Sequence, residues 1–265
     1  MTMRGSQGWL VVLPGFGKRF GSIIVMFILW ETTAQFNLVD PFLLPALSDI
    51  IRISITEFGD GDLAQLVLNT LYRTVFGFLI AAIVGVAIGT AMAASNAVRW
   101  FCEPIVSFMF PIPKIAFLPI FVLWFGFFDA TKIIMAAVAC IVTIISATYL
   151  GTRGIDKYLL WSARALGTKP HKLFWKVIIP AALPPIITGL QIAFPICLIV
   201  SIVAEMATGE QGLGGYMMYH QNLGSSDKMY LGIICAGVIG YALIEGFSWL
   251  RRRLLSWHTE TVMTV

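Results

Sequence analysis

Long runs without charge organise this chain. Between Arg73 and Arg99 lie 25 consecutive uncharged residues, Thr74 through Val98; between Lys132 and Arg153 there are 20, and between Lys176 and Glu205 there are 28. A helix needs about 20 predominantly apolar residues to cross a bilayer, so each run predicts one span. Phe101–Phe128 predicts another, interrupted by Glu103 and Lys114, and Met229–Leu250 carries only Glu245. Lys18–Ala34 completes the set, shortened by Glu31. The expected fold class is all-α: one polytopic membrane domain over residues 1–265 with about six transmembrane helices.

Within the runs, residue size and proline add detail. Ala81, Gly85, Gly89 and Ala93 recur every fourth residue, as do Gly232, Ala236 and Gly240. Small side chains on one stripe let helix backbones approach closely, which drives association where lipid supplies no hydrophobic force. Pro104, Pro111, Pro113 and Pro119 argue against a regular third span, since each removes a donor and crowds the preceding turn. Pro184, Pro185 and Pro195 are expected to disturb the fifth span similarly. Such breaks survive at membrane depth only when buried in protein or lining a wet cavity. Spans three and five are therefore the expected walls of a passage, with Pro113, Lys114 and Pro195 as candidate lining residues.

Composition fits lipid as the main solvent. The 265 residues are 58% hydrophobic and 12% charged, with a mean hydropathy of +0.85; soluble domains carry roughly 25% charge. The net charge of +4 is unevenly placed. With a cytoplasmic N-terminus, the inner side holds Arg4, Lys18, Arg19, Arg99, Arg153, Lys157, Arg164, Lys169, Lys172, Lys176, Arg251, Arg252 and Arg253, that is 13 of 18 basic residues. Arg52, Arg73, Lys132 and Lys228 fall on or near the outer side, and Lys114 falls within a span. Basic residues favour cytoplasmic loops, so both termini are expected inside. The N-terminal Arg4, Lys18 and Arg19 before an apolar run resemble a signal peptide. The following Trp30-Glu31-Thr32-Thr33 lacks a small-residue cleavage site, so an uncleaved first span is expected. Cys102, Cys140, Cys197 and Cys235 are scattered without metal-ligand spacing and are assigned to packing.

The loop from Gly151 to Ile179 has a helical grammar of its own. Asp156 can cap a helix running from Lys157 to Leu166, Gly167 ends it, and Thr168-Lys169-Pro170 restarts a second helix through Lys176. The loop carries six basic residues against one acid. A purely electrostatic lipid-binding segment would account for the lysines, but not for Gly167 or the apolar Leu173, Phe174 and Trp175.

Trp161-Ser162-Ala163-Arg164-Ala165-Leu166-Gly167, then Leu173-Phe174 and Val177-Ile178-Ile179-Pro180, resembles the "EAA" loop of binding-protein-dependent ABC importer permeases. Leu44-Pro45, Pro111-Ile112-Pro113, Leu118-Pro119, Trp124-Phe125-Gly126, Ala204-Glu205 with Gly212-Leu213-Gly214, and the tail Arg251-Arg252-Arg253-Leu254 with Trp257-His258 extend the resemblance to the nitrate, sulfonate and taurine branch. It covers roughly Leu43 to Glu260. The family's leading Glu is Trp161 here, which alters the polar part of the docking contact.

The resemblance implies a permease in the bacterial cytoplasmic (inner) membrane, with residues 151–179 as the coupling loop. It implies a homodimer, two copies of a separate ATPase that holds ATP and magnesium, and a periplasmic or lipid-anchored solute-binding protein. Membrane lipid is a further partner and nucleic acid is not. The contact residues expected to couple to the ATPase are Trp161, Ser162, Ala163, Arg164, Gly167, Leu173, Phe174 and Pro180. Lys114 is either a cation lining the passage or a side chain reaching an interface. Glu205 with Gly209, Gly212, Gly214 and Gly215 forms either a flexible outer gate or an ordinary glycine-rich loop. Glu245 is expected as a buried hydrogen-bonding partner.

Catalytic constellations are missing from the sequence. Gly15-Phe16-Gly17-Lys18 lacks the GxxxxGK[ST] spacing of a phosphate loop, and neither HExxH nor GxSxG occurs. The chain is expected to be no enzyme and to hold no cofactor or metal. An ion-coupled secondary transporter would need an intramembrane acid or polar cluster, for which only Glu205 and Glu245 offer themselves.

Overall fold

The computed structural model describes residues 16–209 and 211–255, which form helices and connecting turns with no strand among them. Arg4, Gly15 and the Trp257-His258 tail lie outside the described residues. Four helices are long and apolar enough to cross a membrane. These are α3 (Asp62–Ala94), α6 (Asp129–Arg153), α9 (Ile179–Thr208), which continues back to His171, and α11 (Ser226–Leu254).

Six expected spans thus resolve, among the described residues, into four continuous ones, one broken one, and a helix that falls short. The expected Phe101–Phe128 span is α4 (Asn96–Met109), a 3-10 turn (Lys114–Phe117) and α5 (Leu118–Phe125), with a bend of 95° between the two arms. Proline explains the bend selectively. Pro104 sits inside α4 without ending it and Pro119 occupies the permitted first turn of α5, so the break falls at Pro111 and Pro113.

The first candidate span is α1 (Phe16–Gln35), 20 residues long but not apolar enough to qualify. Glu31, which interrupts it, caps the next helix, α2 (Leu47–Gly59). Its Oε2 accepts from the backbone N–H of Leu47 at 2.7 Å and Ser48 at 3.3 Å, replacing the side-chain cap that Ala46 cannot supply. Ile24, Val25, Ile28 and Leu29 of α1 are all exposed, an apolar girth that suits lipid or a partner helix.

The core is a three-helix pack. On α3, Gly77 faces Ile133 and Ala136, Gly85 faces Ile144, and Gly89 faces Thr148, so α3 and α6 run parallel. Their partner on the small-residue stripe is therefore α6, with Gly77 added and Ala93 only partly buried. On α9, Cys197 donates its thiol to the Thr74 carbonyl, Ala193 meets Cys140, Gly189 meets Ala147 and Pro185 meets Gly151, so α9 runs antiparallel to both. Phe78, Ala81, Ala136, Cys140, Ile144 and Ala193 fill the space between.

This geometry fixes how the broken segment runs. Since α3 and α6 point the same way, α4 and α5 must return the chain from one end of the bundle to the other. α11 runs antiparallel to α9: Gly232 packs on Met217 of α10 (Leu213–Asn222), Gly240 near Leu198, and Gln191 bonds Ser248 and Arg251. Arg99, Arg153, Lys157, Arg164, Lys169, Lys172, Lys176 and Arg251–Arg253 thereby collect at one end, the basic end. Asp49, Glu57, Asp60, Asp62 and Asp129 stand at the other.

Pro184, Pro185 and Pro195 do not break α9, contrary to expectation. The helix runs through all three, and Thr188 Oγ1 donates to the Pro184 carbonyl at 3.0 Å. The irregularity lies further back, in a π turn over Phe174–Ile178.

Candidate functional site

At the basic end, α7 (Lys157–Ala165) begins at Asp156, whose carboxylate accepts from the Tyr158 N–H at 2.8 Å. The helix closes with Gly167 N–H to the Arg164 carbonyl and Thr168 N–H to the Ala163 carbonyl, the paired bonds of a Schellman turn. Gly167 carries the turn at φ +78°, a conformation costly for any residue with a Cβ. The chain then enters α8 (Pro170–Leu173), the π turn and α9 without a break.

The π turn has a cause. Pro180 offers no N–H to its preceding turn, and Ile179 N–H reaches back five residues to the Phe174 carbonyl. The second half of the loop, from Pro170, is therefore continuous with α9, with a local irregularity where the two join.

The two faces of α7 differ. Tyr158, Trp161 and Leu166 are exposed, Leu166 at 86%, and Ser162 is exposed beside them. Lys157, Leu160 and Arg164 line a cavity against the bundle, Lys157 and Arg164 while also exposed, and Trp161 stands beside that stripe, four residues on from Lys157. Of the expected coupling residues, Trp161 and Ser162 are exposed. Arg164 lies on the cavity stripe, Leu173 is buried at 4% exposure, and Phe174 lines the same cavity. Ala163 and Pro180 are half-buried.

At the other end, four helices are clasped through one carboxylate. Glu205 is fully buried and accepts from Thr70 Oγ1 at 2.8 Å, Arg73 Nη1 at 2.8 Å and the Gly214 N–H at 3.1 Å. Arg73, 4% exposed, also reaches Asp129 through Nε at 2.8 Å and Nη2 at 2.7 Å, while Thr70 Oγ1 accepts from the Leu213 N–H. The network ties α3, α6, α9 and α10 together. A Cβ on Gly212 would overlap the Glu205 carboxylate, and one on Gly214 would strike the Ile202 carbonyl. Both glycines let the backbone of α10 and its preceding turn lie directly against Glu205 and α9.

Nothing in the spacing of the sequence pairs Thr70, Arg73 and Asp129 with Glu205. Their signal in the sequence is faint: Arg73 and Glu205 are the charged residues that end two of the long uncharged runs.

Lys114 sits where α4 breaks. Its Nζ donates to the Phe110 carbonyl at 2.7 Å and lies 5.6 Å from the Phe110 ring centroid. Its charge thus satisfies a carbonyl released at the end of α4. Pro113 is exposed beside it and Pro195 half-buried on α9. Glu245 is half-buried on α11 rather than enclosed. Cys140, Cys197 and Cys235 are buried and Cys102 half-buried, all four as free thiols.

A bundle of apolar helices with a broken segment and a helical loop at its basic end defines a polytopic α-helical membrane protein. Over residues 77–254 the chain matches the family described as "Binding-protein-dependent transport system inner membrane component", and it belongs to that family. It is similar to the taurine transport system permease protein TauC of Escherichia coli, at 29% identity covering 91% of this chain and 89% of that one. It is 30% identical to a putative aliphatic sulfonates transport permease protein, SsuC, of Bacillus subtilis, covering 97% and 91% respectively. The nitrate import permease protein NrtB of Leptolyngbya laminosa is 32% identical over 69% of this chain and 66% of its own. Among solved structures, the inward-facing MetNI methionine ABC transporter shares the fold, with a TM-score of 0.67 at 20% identity, covering 75% of this chain and 98% of the matched one. The chain is thus a multi-pass ABC importer permease of the inner membrane.

Proposed function

We propose that this permease forms half of a translocation pathway for a small anion of the sulfonate, taurine or nitrate class. Two copies would enclose the pathway. The basic end would face the cytoplasm, with both termini on that side, and would rest on two copies of a separate ATPase that binds the nucleotide and magnesium. A solute-binding protein would dock at the Asp62 end.

The single observation that carries the coupling role is the continuity of α8, the π turn and α9. A force applied to the exposed Tyr158, Trp161 and Leu166 passes through the Gly167 turn into a continuous helical path that reaches Glu205 at the far end. The anion class rests on the relatives transporting taurine, sulfonates and nitrate. The clasp of Arg73, Glu205 and Asp129 supports an outer end that holds its shape while the inner end moves.

Reconstitution in proteoliposomes tests this reading. With ATPase and solute-binding protein present, accumulation of labelled taurine, an alkanesulfonate or nitrate should require ATP. Uptake by the permease alone, driven by an ion gradient, would replace the reading with a secondary transporter.

A further inference from the structure

The cavity under α7 has a composition that docking does not use. It has a volume of about 610 Å³, within the usual range of ligand cavities at about 300–1,000 Å³. Arg153 from the end of α6 and Lys157 and Arg164 from α7 line it, and no acidic side chain does. Among the described residues none of these three cations is in an ion pair with a carboxylate. Arg153 is held by its Nη1 bond to Tyr149 Oη at 2.7 Å and by the Tyr149 ring.

A second observation points into the same space. Thr152 lines the cavity, is only 8% exposed, and its Oγ1 has no hydrogen-bond partner. A buried hydroxyl without a partner costs free energy comparable to a lost hydrogen bond. Leu173, Phe174 and Ile178 supply an apolar wall opposite the cations.

We infer that the cavity between α7 and the ends of α3 and α6 binds a tetrahedral phosphate oxyanion. Arg153, Lys157 and Arg164 supply charge-assisted donors and Thr152 supplies a neutral one. The occupant is either the headgroup of an anionic phospholipid, with its apolar part against Phe174 and Ile178, or free phosphate from the aqueous side. Either way the anion draws the Lys157–Arg164 stripe of α7 onto the bundle. It thereby holds α7, with its exposed Tyr158 and Trp161, in a fixed presentation. The site stands on cavity geometry, so its binding test is independent of the transport reading.

The test uses the full-length permease, purified in a neutral detergent. Retention of palmitoyl-oleoyl phosphatidylglycerol is compared with that of the matching phosphatidylcholine by native mass spectrometry, and inorganic phosphate is titrated in parallel by calorimetry. The wild type should retain the anionic lipid preferentially, and Arg153→Gln with Lys157→Gln should lower its retention roughly tenfold, since each substitution removes a charge-assisted contact. Arg252→Gln with Arg253→Gln removes the same charge from the end of α11 and should leave retention within about twofold. Thr152→Ser and Lys157→Arg should bind as the wild type does, which separates loss of the site from loss of the fold. Phosphate binding with the same dependence on the variants identifies the free ion as occupant; binding of the lipid alone identifies the headgroup. Equal losses in the two double variants, or no preference for either anion over phosphatidylcholine, overturns the site.

Discussion

Glu205 shows how a single residue imposes requirements on its neighbours. A carboxylate enclosed among apolar helices is tolerated when its lone pairs are occupied, and here a hydroxyl, a guanidinium and a backbone N–H occupy them. Each satisfied bond requires close approach, and close approach requires Gly212 and Gly214. Arg73→Leu, which leaves the carboxylate buried and unpaired, should cost about 3–5 kcal/mol. The cost should appear as a lower denaturation midpoint in mixed micelles. Gly214→Ala should lose about 1–3 kcal/mol by overpacking, whereas Gly237→Ala, with nothing within 4 Å of the added carbon, should be neutral. Equal midpoints for the two alanine variants would remove the packing argument.

Glu57 gives the same end of the molecule a dependence on pH. Burial opposes its ionisation, but the Lys228 ammonium at 2.6 Å and the Tyr216 hydroxyl at 3.1 Å outweigh burial and hold its pKa below the ordinary carboxylate value. A depressed folded-state pKa contributes stability above the unfolded value and loses it as pH falls through the folded one. A spin label at Ile55 on α2 should therefore gain mobility below about pH 4. Glu57→Gln should be mobile throughout, and a label indifferent to both changes would show that α2 is held by other contacts.

At the scale of elements, the turn at Gly167 and the bend at Lys114 are the positions where local chemistry controls a helix. Gly167→Val forces a β-branched residue into a left-handed turn at a cost of about 1–3 kcal/mol. The chain should still insert, ATP hydrolysis should persist, and uptake per ATP should fall severalfold. Wild-type uptake would detach α7 from coupling. Lys114→Ala leaves the Phe110 carbonyl without its donor, so translocation should slow while affinity for the solute-binding protein stays constant.

Sequence patterns served these elements unequally. Asp156, Gly167 and the prolines around 111–113 act through neighbours a few residues away, so their effects could be inferred before any fold was known. The prolines of α9 do not end it, because the cost of a proline within a helix depends on the surrounding packing as well as on the lost donor. The close packing of Pro185 on Gly151 is a contact that only the assembled bundle provides. The caps of α2 were illegible for a related reason, since its cap, Glu31, lies 16 residues from Leu47.

For the whole molecule, parallel α3 and α6 compel α4 and α5 to carry the chain across, despite the bend. Orientation in the membrane then follows from charge. A single cysteine at Ser162 should react with an impermeant maleimide only from the cytoplasmic side, and one at Ile55 only from the opposite side. The reverse pattern would invert the assignment of the basic end.

Hydropathy and charge along the chain by themselves determined a helical membrane protein, its long spans, its basic face and a hinged helical loop. These depend on composition over windows of a few turns, which no fold alters. Tertiary structure decided which stripe met α6, that Glu205 closes on Arg73, that α9 continues through its prolines, and that Thr152 lines one cavity with three cations. Each of those depends on residues distant in sequence becoming neighbours. Their energies come from desolvation and close approach, which exist only once the helices have packed.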